Sequence, residues 1–188
     1  MDTLIKKEKL YKLSEYLKLE KETHEKHDFY FGEVYNMADG TIKHNLLTLS
    51  AYNRLYDYWD KKNCLVLIND VKLELAQNQF YVYPDIIVTC DKENVSNNAD
   101  TIARKPVIVI EVLSDSTELY DRNIKKHYYL KLPSLKYYLL ISQNETKIEM
   151  YEKFKNRIEY SYYEKPEQII IFQQFDFEIK IADIYNVD

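Results

Sequence analysis

The sequence predicts an α/β (α+β) fold: a mixed β-sheet flanked by helices, with a β-hairpin extension toward the C-terminus. Three observations predict it. Helical and strand-like segments alternate along the chain instead of separating into blocks. Two apolar strand segments, 107–113 and 136–142, bracket a helix-length segment, the pattern of a right-handed β–α–β crossover. The 188 residues, 46% hydrophobic and 30% charged, suit a single domain spanning 1–188 with a buried core.

Residues 4–22 read as a helix, with Leu10, Leu13, Tyr16 and Leu17 at helical spacing among charges. Residues 27–40 alternate apolar and polar and hold both glycines, so they read as a strand pair with Gly32 and Gly40 at turns. A second helix runs from Thr41 to about Lys62. Residues 64–75 and 80–90 read as two strands joined by a polar turn, and the Asn-punctuated 91–105 as a loop with at most one helical turn. Residues 106–113 form a strand. Residues 115–132 form a helix, with Asp115 and Glu118 at capping-box spacing and Pro133 closing it. A strand at 136–142, a hairpin around Lys155-Asn156, short strands and a terminal helical turn in Ile-Ala-Asp-Ile-Tyr complete the reading.

No apolar run approaches the ~20 residues of a membrane span. The N-terminal segment lacks a secretory pattern, and Cys64 and Cys90 are widely spaced in apolar contexts. The expectation is therefore a cytoplasmic protein with reduced thiols. A net charge of −5 weighs against nonspecific nucleic-acid binding without excluding a local basic patch. The 19 tyrosines, dispersed among Lys, Asn and Ile, fit half-buried strand positions better than base stacking. No glycine-rich phosphate loop is present, which argues against an NTPase or a dinucleotide enzyme.

Glu111 is the sharpest anomaly. It stands in Pro-Val-Ile-Val-Ile-Glu-Val-Leu, where the other residues mark a strand buried on both faces. A carboxylate there is costly unless it is paired or holds a metal. Alternation puts Val107, Val109, Glu111 and Leu113 on one face. Asp85 follows Pro84 and opens the apolar run Ile86-Ile87-Val88. Two carboxylates on neighbouring strands could share one hard cation such as Mg²⁺, which takes one or two carboxylates and keeps several waters. Lys125 lies one turn beyond Asp121, beside the apolar face of Ile124, Tyr128 and Leu132. Carboxylates, cation and ammonium together would be the minimum kit for phosphodiester hydrolysis. Each has an ordinary alternative: a buried Glu satisfied by an Arg, an Asp serving a turn after Pro, a solvated helix lysine.

The stretches Tyr-Pro-Asp-Ile-Ile-Val-Thr-Cys-Asp (83–91) and 106–142, together with 14–22, 29–45 and 69–75, resemble the Uma family of putative restriction endonucleases. That family is a branch of the PD-(D/E)XK nuclease superfamily, with the restriction-endonuclease-like fold. The resemblance covers nearly the whole chain. It implies catalytic roles for Asp85, Glu111 and Lys125, with Asp85 and Glu111 holding Mg²⁺ (or Mn²⁺), DNA as substrate and a homodimer as one form. The lysine has moved from the strand to the helix, where Asp-Arg-x-x-Lys falls on Asp121, Arg122 and Lys125. Glu33 and His44 match further family positions as accessory residues. Where the family carries Gly-Glu before the lysine, this chain has Asn123-Ile124. That departure and the acidic balance keep open a non-catalytic member of the fold that binds DNA or protein.

Other groups read more plainly. His24 and His27 are expected at the surface, with no second pair to complete a metal site. Ser114, Ser116 and Thr117 read as cap and loop residues. In the basic cluster after Asp121, Lys126 and Lys131 read as solvated, whereas Lys125 points to function.

Overall fold

The computed structural model describes residues 9–23, 25–37, 40–97 and 99–186. The mixed α+β architecture is the predicted one, with most strands in two sheets. The first has the order β2 (Glu33–Asn36), β1 (His27–Tyr30), β5 (Phe80–Val82), β4 (Lys72–Ala76), β7 (Ile102–Ala103). The second runs β11 (Ile158–Tyr163), β10 (Ile148–Lys153), β9 (Tyr137–Ser142), β8 (Pro106–Leu113), β6 (Ile86–Thr89), β3 (Leu65–Ile68). A two-stranded ribbon, β12 (Ile169–Phe172) and β13 (Phe177–Lys180), follows. The hairpin around Lys155-Asn156 is not a separate appendage. It continues the second sheet, because β10 pairs with β9 throughout its length.

Helix α2 (Ile42–Asp60) and the terminal α6 (Ile181–Tyr185) cover one face of the second sheet, packing Leu47, Leu55 and Trp59 against Ile108, Ile110 and Val112. Thr41 caps α2, its hydroxyl accepting from the His44 N–H at 3.0 Å. On the other face Val109 and Leu113 pack with Tyr129 and with Leu73 and Val82 of the first sheet. Val107, at the strand's start, packs with the α2 side instead. The β8–β9 pair is parallel, as a crossover requires. Among the described residues no helix is long and apolar enough to cross a membrane.

Several boundaries differ from the sequence reading, each for a local reason. Helix α1 is Leu13–Glu22. Of the expected 4–22, residues 4–8 lie outside the described residues, and 9–12 are not helical because the Tyr11 N–H bonds to the Gly32 carbonyl at 2.7 Å. The expected strands 64–75 and 80–90 are each broken in two. Asn69 takes a positive φ of 57°, and Tyr83-Pro84-Asp85 carries the chain from the first sheet into the second. In the 91–105 loop, α3 (Lys92–Ser96) is the single helical turn allowed for.

The helix expected at 115–132 is α4 (Glu118–Tyr120), a π-helical turn (Asp121–Lys125) and α5 (Lys126–Tyr129). Its start is tied by Ser114, whose hydroxyl accepts from the Thr117 N–H at 3.2 Å, and not by Asp115.

Two expectations about side chains are corrected. Cys64 and Cys90 form a disulfide. Leu65 faces Thr89 across β3–β6, so the next pair outward is Cys64 and Cys90, with Cα atoms 4.3 Å apart. Strand register brings together what sequence spacing holds apart. His27 is buried, its Nδ1 2.9 Å from a Glu20 carboxylate oxygen, because it opens a strand covered by α1. His24 lies outside the described residues.

Candidate active site

The strand order makes the first contact of the site. The β6–β8 register pairs Ile86 with Ile110, which sets Asp85, just before β6, across from Glu111. The two residues interlock through backbone amides. Asp85 N–H donates to Glu111 Oε2 at 3.3 Å, and Val112 N–H donates to Asp85 Oδ2 at 2.7 Å. Pro84 ends the ladder before Asp85, freeing that amide to bind a side chain.

Lys125 approaches from the crossover. In the π-turn the Lys126 N–H reaches the Asp121 carbonyl, five residues back, where the Tyr138 hydroxyl also donates at 3.1 Å. Both Asp121 and Lys125 are buried against the sheet. The ammonium lies 2.9 Å from Asp121, 3.2 Å from Glu111 and 3.8 Å from Asp28. The Tyr129 hydroxyl donates to Glu111 Oε1 at 2.6 Å. Lys125 is therefore no solvated helix lysine. It is the central cation of a buried cluster.

The cluster is short of positive charge, and the titration of its members reflects that. Burial pushes Glu111 well above the ordinary carboxyl range, and Asp121 and Asp85 add to this more than Lys125 opposes it. Burial likewise raises Asp28 to about 6, against the attraction of Lys125 and a hydrogen bond from the Tyr83 amide. For Lys125 burial alone would favour the neutral amine, but Glu111, Asp121 and Asp28 outweigh it and hold the proton. His44 Nε2 lies 3.3 Å from Asp85 Oδ1. Burial opposes its charging, while Asp85 and the Val112 backbone favour it and raise its pKa.

These groups line one cleft of about 870 Å³, between the β1–β2 hairpin, the N-terminal end of α2 and the loop after β8. Of the residues singled out in the sequence, Asp85, Glu111, Lys125, His44 and Asp121 meet there. Glu33 does not line the cleft; it accepts a hydrogen bond from the Tyr35 hydroxyl. Arg122 is also elsewhere, paired with Glu118 at 2.7 Å and Glu149 at 2.5 Å. Lys126 and Lys131 lie over the rings of Tyr151 and Tyr128.

Asp28 and Tyr129 escaped the sequence reading. Asp28 carries the same signal as Glu111, a carboxylate within an aromatic strand, but the glycines of its hairpin drew the eye to turns. Tyr129 gives no signal of its own among so many tyrosines.

Among the described residues no three His, Cys, Asp or Glu side chains converge as ligands of one ion. Asp85 and Glu111 fit a hard divalent cation that keeps much of its hydration, not one enclosed by protein. The excess of carboxylates over Lys125 agrees with this, since a cation would relieve it.

The chain matches the profile of Uma2, described as putative restriction endonuclease, over residues 13–182. Two Synechocystis proteins are similar. The uncharacterized protein slr1290 is 34% identical across 74% of this chain and 72% of its own, and the uncharacterized protein sll1609 is 31% identical across 79% and 84%. The crystal structure of a putative nuclease belonging to DUF820, from Anabaena variabilis, superposes with a TM-score of 0.75. It is 18% identical and covers 94% of this chain and 98% of that one, a likeness of fold.

Proposed function

We propose that this chain, which belongs to the Uma2 family of putative restriction endonucleases, is a divalent-cation-dependent endonuclease that hydrolyses phosphodiester bonds of DNA. Its chief support is the interlock of Asp85 and Glu111 at the floor of the cleft, with the Lys125 ammonium 3.2 Å from Glu111.

In this reading Asp85 and Glu111 hold Mg²⁺ or Mn²⁺, which supplies Lewis acidity toward the phosphate. Tyr129 and Lys125 both engage Glu111 Oε1, so that carboxylate is held in one orientation. Lys125 stabilises negative charge developing on the phosphodiester, and Asp121 and Asp28 keep it protonated and aimed. The Val112 amide fixes Asp85, and His44 flanks it on the open side.

The test is cleavage of DNA with and without Mg²⁺ or Mn²⁺, paired with cation binding by calorimetry. Asp85→Asn should lose both. Lys125→Ala, checked for folding by circular dichroism, should keep binding and lose cleavage. Turnover that survives in both variants defeats the proposal. The acidic balance favours a second reading, a non-catalytic member that binds DNA or protein; it predicts no divalent-dependent cleavage and no cation binding.

A further inference from the structure

Helix α2 buries one face and leaves an apolar stripe on the opposite one. Leu47, Ala51, Leu55 and Trp59 enter the core. Ile42, Leu46, Leu49 and Tyr56 are exposed by 82, 40, 49 and 43%. Their spacing, extended through Asn53, is alternately four and three residues, the a/d seam of a coiled coil. On an ordinary surface helix these are the positions for charge. A seam this long on the outer face calls for a covering surface.

The flanking charges identify that surface. Along one side of the seam, at successive heptad positions, stand Lys43, Ser50 and Asp57. The order is self-complementary when the helix meets a copy of itself running the other way. A two-fold axis beside Ser50 sets Lys43 against the partner's Asp57, and Asp57 against the partner's Lys43. It also layers Leu46 on the partner's Tyr56 and Leu49 on the partner's Asn53. Among the described residues neither Lys43 nor Asp57 is in a salt bridge within the chain. A parallel pairing would instead stack lysine on lysine. Antiparallel helices also oppose their dipoles favourably.

We propose that α2 is the dimerisation element of this protein, pairing antiparallel with α2 of a second copy through Leu46, Leu49 and Tyr56. His44 lies close to the N-terminal end of α2. At 1.5 Å per residue, this places the two clefts at opposite ends of the paired helices, roughly 20 Å apart along the axis. An isologous contact of this kind closes on itself and forms no filament.

Sedimentation velocity on the full chain tests this. The parent should sediment as a dimer at micromolar concentration. Leu49→Glu, an exposed substitution that leaves the core intact, should weaken self-association at least tenfold with unchanged circular dichroism. Lys43→Asp and Asp57→Lys should each weaken it, since each sets like charges together at both ends. Mixing those two variants should restore a dimer, because both ends then pair opposite charges again. A monomeric parent overturns the proposal. So does a dimer indifferent to Leu49→Glu, which would point to the free edge of β11, or a mixture that fails to re-associate.

Discussion

Replacing Asp28 by Asn should stabilise the cation-free protein near neutral pH, although it removes a neighbour of Lys125. Folding raises this carboxyl from an ordinary 3.8 to about 6, chiefly through burial. Between those values the native state keeps a proton that the unfolded chain has released, so stability falls as pH rises through the window. At 1.36 kcal/mol per pH unit the full cost above pH 6 is about 3 kcal/mol. Asparagine escapes that cost. Its carbonyl can still accept from the Tyr83 amide, and Lys125 keeps Glu111 at 3.2 Å and Asp121 at 2.9 Å. Urea unfolding in chelator should therefore show Asp28→Asn more stable by up to about 3 kcal/mol at pH 7.5, with most of the gain gone at pH 4.5. Equal differences at the two pH values would refute the reasoning, as would a loss at pH 7.5.

Lys125→Met leaves buried carboxylates without their cation and should cost about 3–5 kcal/mol at pH 8. Thermal unfolding at pH 5 should show a smaller deficit, because Glu111 and Asp28 then take up protons; a deficit independent of pH would contradict the cluster's charge balance. Breaking the Cys64–Cys90 link, which spans 26 residues, releases chain entropy in the unfolded state worth about 3–4 kcal/mol. Denaturant curves with and without reductant measure it, and coincident curves would show that the link does not stabilise the fold. Gly32 has a φ of +98°, so Gly32→Ala should destabilise by roughly 1–2 kcal/mol, read from the shift in urea midpoint at constant slope.

Legibility in the sequence followed how local each signal was. Glu111 stood out because seven apolar neighbours made its charge conspicuous, and strand β8 with the crossover to β9 was readable for the same reason. Thr41 as the cap of α2 was readable from one boundary. The breaks at Asn69 and Tyr83-Pro84-Asp85 were not, because apolar character continues through them while the chain changes sheets. The disulfide and the pairing of Asp85 with Glu111 both depend on the β3–β6–β8 register, which no local pattern states. Lys125 would read as an ordinary helix lysine from periodicity alone; family resemblance singled it out, and its burial follows from the π-turn. Arg122 lies in the same Asp-Arg-x-x-Lys pattern, yet points to Glu149 on β10.

The π-turn gives the crossover one residue more than a regular α-helix of the same reach would need. Removing Asn123 would let Asp121–Tyr129 settle into continuous α-helical hydrogen bonding, a gain in backbone regularity. Everything after the deletion would turn by about 100° relative to what precedes it. Tyr129 would leave Glu111, and Lys125 would leave Asp121. A shorter, more regular helix would thus be bought with the disassembly of the cluster: the irregular turn works as an insertion whose length sets the phase between the two ends of the helix.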